Sequence, residues 1–376
     1  MNRSLAILPM VLIQASWVTG QISSDELNEA PSSVQSRLAA GDGNKDGSLS
    51  LEEVRGHLGL VAQPTKRSGI EPAPKPRTEL PPNSKASDSS PENKPSSAPW
   101  VTPSVRATRV ERRTFESAAA KTTVSYHIYT PELYGQDKER RFPVLYWLHG
   151  SSGGLPGIKP LSEFFDEAIR KEKMPPALVV FPNGLELSMW CDSKDGRVPM
   201  ETVVVKELLP HIDQSFRTLA TRNGRILEGF SMGGYGAARL GFLYPETFGA
   251  ISVLAGGPLD LEFQGPRAKG NPAGRERILK NTFGGDLEDF KAKSPLTAVS
   301  KAGANPAAKP KVRVAVGSRD FTADLNRAFS EHMQKQKFEH DFTLVPGVGH
   351  DTMALLKGLG ESNWNFYRDS LAKKKK

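Results

Sequence analysis

The 376-residue chain has a single cysteine, Cys191. One thiol closes no intramolecular disulfide and supplies no zinc cluster, so disulfide scaffolds, zinc fingers and CxxC redox motifs are excluded. Long apolar runs are scarce: residues 5–13 form a nine-residue stretch, whereas a bilayer-spanning helix needs about 20. A basic helix with interleaved aromatics, the pattern that reads nucleic acid, is missing too. The formal charge is +8, but Lys373, Lys374, Lys375 and Lys376 supply four of those charges at the C-terminus. The rest is only mildly basic, which gives no reason to expect a nucleic-acid partner.

Proline and glycine, by contrast, are plentiful, at 29 and 34 residues. Ten of the prolines and eight serines fall within residues 61–105, where Trp100 is the one aromatic. Such a stretch buries too little apolar surface to offset its ordering entropy, and reads as a disordered, semi-extended linker. Ahead of it, Arg3, the apolar run 5–13 and the small residues around Val18-Thr19-Gly20 read as a signal peptide over residues 1–20. That places the chain outside the cytoplasm, secreted or periplasmic. The divisions that follow are 21–60, the linker 61–105, a large domain 106–372 and the basic tail 373–376.

Within 21–60 stands Asp42-Gly43-Asn44-Lys45-Asp46-Gly47-Ser48-Leu49-Ser50-Leu51-Glu52-Glu53. Oxygen donors at positions 1, 3 and 5, glycine at 6 and a carboxylate at 12 follow the EF-hand loop. Ca²⁺ takes six to eight oxygens, and the glycine makes the turn that brings the next backbone carbonyl inward. The expected ligands are Asp42, Asn44, Asp46, the Ser48 carbonyl and Glu53. Val34 and Leu38 before the loop, and Val54 and Leu58 after it, are spaced for two helices. The piece resembles a single EF-hand.

The large domain alternates short apolar runs with helical patterns. Residues 144–148, 177–181, 226–228, 250–254, 312–316 and 342–345 read as core strands, and 110–115 with 122–129 as an antiparallel edge pair. Helical spacing covers 161–171, 201–215, 233–244 and 322–335. The pattern predicts an α/β fold with a doubly wound, mostly parallel sheet of eight strands, whose reactive groups sit at the strands' C-terminal ends.

At one such end lies Gly229-Phe230-Ser231-Met232-Gly233-Gly234. By composition alone, Gly-x-Ser-x-Gly occurs by chance about 0.3 times in such a chain. Its context carries more weight, because a strand enters and a helix rich in small residues leaves, as in a nucleophile elbow. A serine nucleophile needs a histidine base oriented by a carboxylate. His350, in the loop Pro346-Gly347-Val348-Gly349-His350-Asp351 after the last strand, fits the base. Asp320, just beyond the strand 312–316, fits the carboxylate, with Asp324 as competitor; Asp351 is too near His350 to orient it. For the oxyanion, the backbone N–H of Met232 is one donor and that of Ser151, or else Ser152, the second. His149 reads as structural. Trp190 is a candidate for stacking on a sugar or an aromatic acyl group.

These motifs, with Leu148-His149-Gly150 before Gly153-Gly154, Phe181-Pro182-Asn183-Gly184, Phe283-Gly284-Gly285-Asp286 and Ser294-Pro295, resemble the esterase D family of α/β hydrolases. That family includes feruloyl and acetyl-xylan esterases, S-formylglutathione hydrolases, enterochelin esterases and mycolyltransferases. The resemblance, over residues 110–371, implies an α/β-hydrolase fold and ester hydrolysis by Ser231, Asp320 and His350 with no catalytic cofactor. With export and an accessory module, it points to an acyl ester of a polysaccharide or related glycan. The alternatives are a thioesterase or enterochelin-type esterase, and a calcium-dependent binding protein with an inactive hydrolase domain. Residues 258–280 are an insertion expected to shape the pocket.

Overall fold

The structure, a computed structural model, describes residues 21–22, 49–50, 99–151, 153–257, 272–303 and 309–371. The expected signal-peptide stretch, the expected calcium ligands Asp42, Asn44, Asp46, Ser48 and Glu53, the expected linker up to residue 98, Ser152, most of the 258–280 insertion and the basic tail lie outside the described residues. The chain divides into two compact units, residues 1–91 and 92–376. In the first, strand β1 (Gln21–Ile22) pairs antiparallel with β2 (Leu49–Ser50), Gln21 opposite Ser50 and Ile22 opposite Leu49.

The second unit is built on eight strands: β3 (Val110–Ser117), β4 (Thr122–Tyr129), β5 (Val144–Leu148), β6 (Leu178–Pro182), β7 (Arg225–Phe230), β8 (Ala250–Leu254), β9 (Lys311–Gly317) and β10 (Asp341–Val345). Their order across the sheet is β10-β9-β8-β7-β5-β6-β4-β3. From β10 to β6 all neighbours are parallel, while β4 runs antiparallel to β6 and β3 antiparallel to β4. The mostly parallel eight-stranded sheet and its antiparallel edge pair are thus as the sequence predicts. Strands β5, β6 and β8 are buried at every position, and Ser252 of β8 is their one polar residue besides the Tyr146 hydroxyl, which is the signature of strands covered on both faces. At the edges the exposure returns: β3 and β10 carry polar and charged residues partly in solvent.

Side-chain alternation sorts the strand residues into two cores. Val144, Tyr146 and Leu148 of β5 share one cluster with Leu227, Val253, Val314 and the helices Met232–Leu243 and Ala323–Lys335. Leu145 and Trp147 face the other, with Phe165 of helix Leu155–Arg170 and Trp364 and Tyr367 of helix Gly360–Leu371. This is the doubly wound arrangement of an α/β hydrolase. The helix expected over 201–215 runs from Met200 to Ser215 but widens to π over Val203–Leu208, just ahead of Pro210. Proline has no N–H for an α-register bond at that place.

One boundary moves. Trp100, assigned to the linker, is 7% exposed and packs in the first core. Its carbonyl accepts from the Ser125 N–H at 2.9 Å, and Asn183 Nδ2 donates to the carbonyls of Pro99 and Trp100, both at 2.9 Å. The folded domain therefore begins before residue 106: a lone aromatic in a proline-rich stretch marked where the chain first finds a core. Among the described residues no helix is long and apolar enough to cross a membrane.

Candidate active site

The sheet order reverses between β5 and β7, since β6 lies beyond one and β8 beyond the other. Crevices at such a switch point, outside the strands' C-terminal ends, are where open α/β sheets bind ligands. Ser231 follows β7 and His149 follows β5, so both fall there.

Ser231 has φ 59° and ψ −118°, a strained conformation for a residue with a side chain. Its backbone is held on both sides. The N–H donates to Leu254 O at 2.9 Å, and the carbonyl accepts from Tyr235 N at 3.1 Å. The glycines of the motif allow the close packing around it: a Cβ on Gly229 would lie 2.2 Å from Gly233 O. The turn thereby presents Ser231 Oγ at the head of helix Met232–Leu243.

Ser231 Oγ lies 3.0 Å from His350 Nε2, and His350 Nδ1 lies 2.8 and 3.0 Å from Asp320 Oδ2 and Oδ1. Two loops at the ends of β9 and β10 bring the latter pair together, joined by Arg319 N–H donating to Val348 O at 2.9 Å. The Asp320 carboxylate is wholly buried and the His350 imidazole partly open, at 0% and 23% side-chain exposure. Burial alone would raise the Asp320 carboxyl, but His350, by hydrogen bond and charge, and two hydrogen bonds from Thr322 hold it below the usual range. Thr322 gives those bonds to Oδ1 from its N–H and its Oγ1, each at 2.8 Å. Asp324 lies on the following helix, exposed, and Asp351 caps helix Thr352–Gly358 through Ala354 N–H at 2.7 Å. Such a chain lets the carboxylate fix the imidazole while the imidazole withdraws the serine proton.

Met232 is the first residue of its helix, so its N–H has no preceding turn to bond to. Gly150 is set against the serine, where an added Cβ would lie 3.2 Å from Ser231 Cβ. Ser151, next in the chain, is exposed.

His149 pins this loop from below. Its Nε2 accepts the Gly184 N–H at 2.9 Å, which leaves Nδ1–H to donate to Gly150 O at 2.7 Å. Burial lowers its pKa to about 4, offset only in part by the Gly150 bond, so the ring stays neutral. Trp190, the candidate for stacking on a sugar or aromatic acyl group, lies buried in the core. Its side chain is 0% exposed, its Nε1–H donates to His149 O at 3.2 Å, and its ring fills the space beside Gly184 and Gly236. It supports the loop that follows β5 rather than facing the cleft. The Cys191 thiol is buried, and burial pushes its pKa up to about 11, so it is inert as a nucleophile.

Sequence reasoning missed two supporting residues. Thr322 was hidden because a single threonine after an aspartate carries no pattern. Asn326 was hidden because Gly256, its partner in two bonds, is 70 residues away: Oδ1 accepts Gly256 N–H at 3.1 Å, while Nδ2 donates to Gly256 O at 2.9 Å and to the nearby Thr322 O at 2.8 Å. It ties the segment after β8 to the Asp320 turn. Among the described residues no group of three or more His, Cys, Asp or Glu is placed to hold a metal ion.

Residues 117–376 match the model of the Esterase family. The chain is 30% identical over 168 residues to an endo-1,4-beta-xylanase/feruloyl esterase of Xylanibacter ruminicola, covering 42% of this chain and 23% of that protein. It is 32% identical over 148 residues to an esterase of Mycobacterium tuberculosis, covering 38% and 31%. The match thus spans less than a third of the length of either relative. An acetyl esterase of Caldicellulosiruptor saccharolyticus is 25% identical over 232 residues, covering 61% and 80%. Among solved structures, a ferulic acid esterase superposes with a TM-score of 0.57 at 23% identity, over 69% of this chain and 97% of that one. An S-formylglutathione hydrolase of Agrobacterium tumefaciens also gives 0.57, at 18% identity over 72% and 99%. At these identities the likeness is one of fold.

Proposed function

The chain belongs to the Esterase family of hydrolases acting on carboxylic esters, and on that premise we propose that it is a serine esterase working through an acyl-enzyme on Ser231. The hydrogen-bonded line from Ser231 Oγ through His350 to Asp320 carries this reading. Ser231 Oγ attacks the ester carbonyl carbon as His350 Nε2 takes its proton. Asp320 stabilises the imidazolium through Nδ1–H. The carbonyl oxygen becomes an oxyanion held by the N–H groups of Met232 and Ser151. The imidazolium then returns the proton to the departing alkoxide, leaving the acyl group on Ser231. Water, deprotonated by the same nitrogen, releases the acid and restores the serine.

The relatives named for feruloyl and acetyl esters support those acyl groups, the one named also as a xylanase supports a polysaccharide or related glycan as the carrier, and the apolar run at 5–13 supports export. The loop 42–53 is the calcium site of this reading: its donors are all oxygens, which suits Ca²⁺, and it supplies no step of the chemistry.

The test is covalent labelling. A fluorophosphonate should add one phosphonyl group to the peptide carrying Ser231, in step with the loss of 4-nitrophenyl acetate hydrolysis. Modification at another residue, or activity surviving full labelling of Ser231, would sink the assignment.

A further inference from the structure

Among the described residues three large apolar side chains are exposed, Val101, Leu287 and Phe321, and Phe321 is the most exposed at 55%. Isolated exposed apolar residues are ordinary on protein surfaces, so exposure alone assigns nothing. Its position does. Phe321 follows Asp320 directly, and its ring centroid lies 4.5 Å from that of His350, with the planes inclined at 44°. Phe230 packs on the same imidazole at 4.6 Å but is 8% exposed. The buried ring serves to hold the imidazole. Phe321, more than half exposed, presents an aromatic surface to solvent beside His350.

The proton transfers say which part of a substrate that is. His350 Nε2 takes the proton from Ser231 and returns it to the departing alcohol, so the alcohol oxygen must come within hydrogen-bond reach of that nitrogen. The carbonyl oxygen is meanwhile directed to the N–H of Met232, at the head of the helix. A ring in contact with His350 therefore borders the alcohol half of the ester rather than the acyl half.

We propose that Phe321 is a specificity-determining platform for the alcohol, and that the alcohol it selects is a sugar. The inference rests on the proposed reading of a serine esterase acting on a glycan ester and adds to it the residue that selects the alcohol. A half-exposed aromatic face suits an amphipathic occupant, one that lays a C–H surface on the ring and keeps its hydroxyls in water. A sugar ring has that form. A long aliphatic alcohol would leave most of its surface in water beside a single ring, and methanol has nothing to lay there.

The experiment compares esters that share an acyl group and differ in the alcohol: methyl ferulate against feruloyl-arabinofuranose, and methyl acetate against acetylated xylose. Wild type, Phe321→Ala and Phe321→Trp are assayed on all four. Phe321→Ala should lose about three- to tenfold in kcat/KM on the sugar esters, chiefly through KM, the range of one aromatic contact. On the methyl esters the loss should be about twofold at most, and Phe321→Trp should recover the sugar esters. Equal losses on methyl and sugar esters, with a displaced pH profile, would make Phe321 a positioning residue for His350 and overturn the proposal. So would unchanged kinetics on the sugar esters. Turnover of methyl esters by the wild type separates this failure from that of the underlying reading: if none of the four is cleaved, the esterase assignment falls first.

Discussion

Gly233 sits directly under the carbonyl of Leu148: a Cβ built on it would lie 1.8 Å from that oxygen. The contact seats the helix after Ser231 against the end of β5, from which the His149-Gly150 loop departs. A methyl group there has nowhere to go, because the obstacle is backbone. Gly233→Ala should therefore lower stability by about 2 kcal/mol or more, or prevent folding, as overpacked cores do. Urea denaturation would show it, and a variant with the wild-type midpoint would contradict the close approach.

Ser231→Ala and His350→Ala should each reduce ester hydrolysis by at least about 10³-fold with circular dichroism unchanged, since the three groups act as one unit. Asp320→Asn should be strongly impaired while remaining folded. If Asp324→Asn is the more damaging change, the carboxylate has been assigned to the wrong residue.

The buried His149 makes stability depend on pH. Its pKa is lowered to about 4 in the folded chain, chiefly by burial, against about 6.5 when unfolded. The unfolded state therefore binds the proton first, so this stabilisation is complete above about pH 6.5 and is lost as the pH falls toward 4. Burial also lowers His127, His211 and His332, which add to the same slope. Asp320 contributes in a lower window, because its depressed carboxyl keeps its stabilisation until the pH falls below the ordinary aspartate range. Imidazole NMR should show His149 neutral, with the proton on Nδ1, at pH 6; titration of His149 near 6.5 would refute this.

Arg313 and Glu228 form a buried ion pair behind the serine turn, Nη2 donating to Oε1 at 2.7 Å. Register places Glu228, Ser252 and Arg313 side by side on β7, β8 and β9. Ser252 and Tyr367 also donate to Glu228, and Arg313 Nη1 donates to Asn363 Oδ1 at 2.7 Å. Removing one charge strands the other, so Arg313→Met should cost about 3–5 kcal/mol. Adding Glu228→Gln should restore part of that loss. Additive losses in the double variant, by thermal or urea unfolding, would count against a coupled pair.

Calcium should bind the full chain without altering turnover of small esters, because the proposed chemistry uses no metal and the proposed calcium loop is separated from residue 106 in sequence by a long proline-rich stretch. Steady-state hydrolysis of 4-nitrophenyl acetate in Ca²⁺ and in EGTA gives the comparison. A drop of more than about tenfold on chelation would mean that the hand acts on the catalytic site.

Much of the fold is local in origin. Runs such as residues 144–148 and 178–181 are strands because unbroken apolar sequence of that length is stable only when buried on both faces. The turn at Ser231 is written in its flanking glycines, and the antiparallel pair β3–β4 in its alternation. Periodicity and turn chemistry act over a few residues, and a sequence displays them openly. What lies outside their reach was decided by packing. Nothing local says that β7 lies between β5 and β8, that Arg313 finds Glu228, or that Asn326 joins two loops. Trp190 shows the limit most plainly: an indole beside polar residues reads equally well as a sugar platform or as core. Only the tertiary structure, by closing His149 and two glycines around it, put it inside. Phe321 is the converse, an apolar residue in a turn that the meeting of two distant loops sets against His350 and leaves open to solvent.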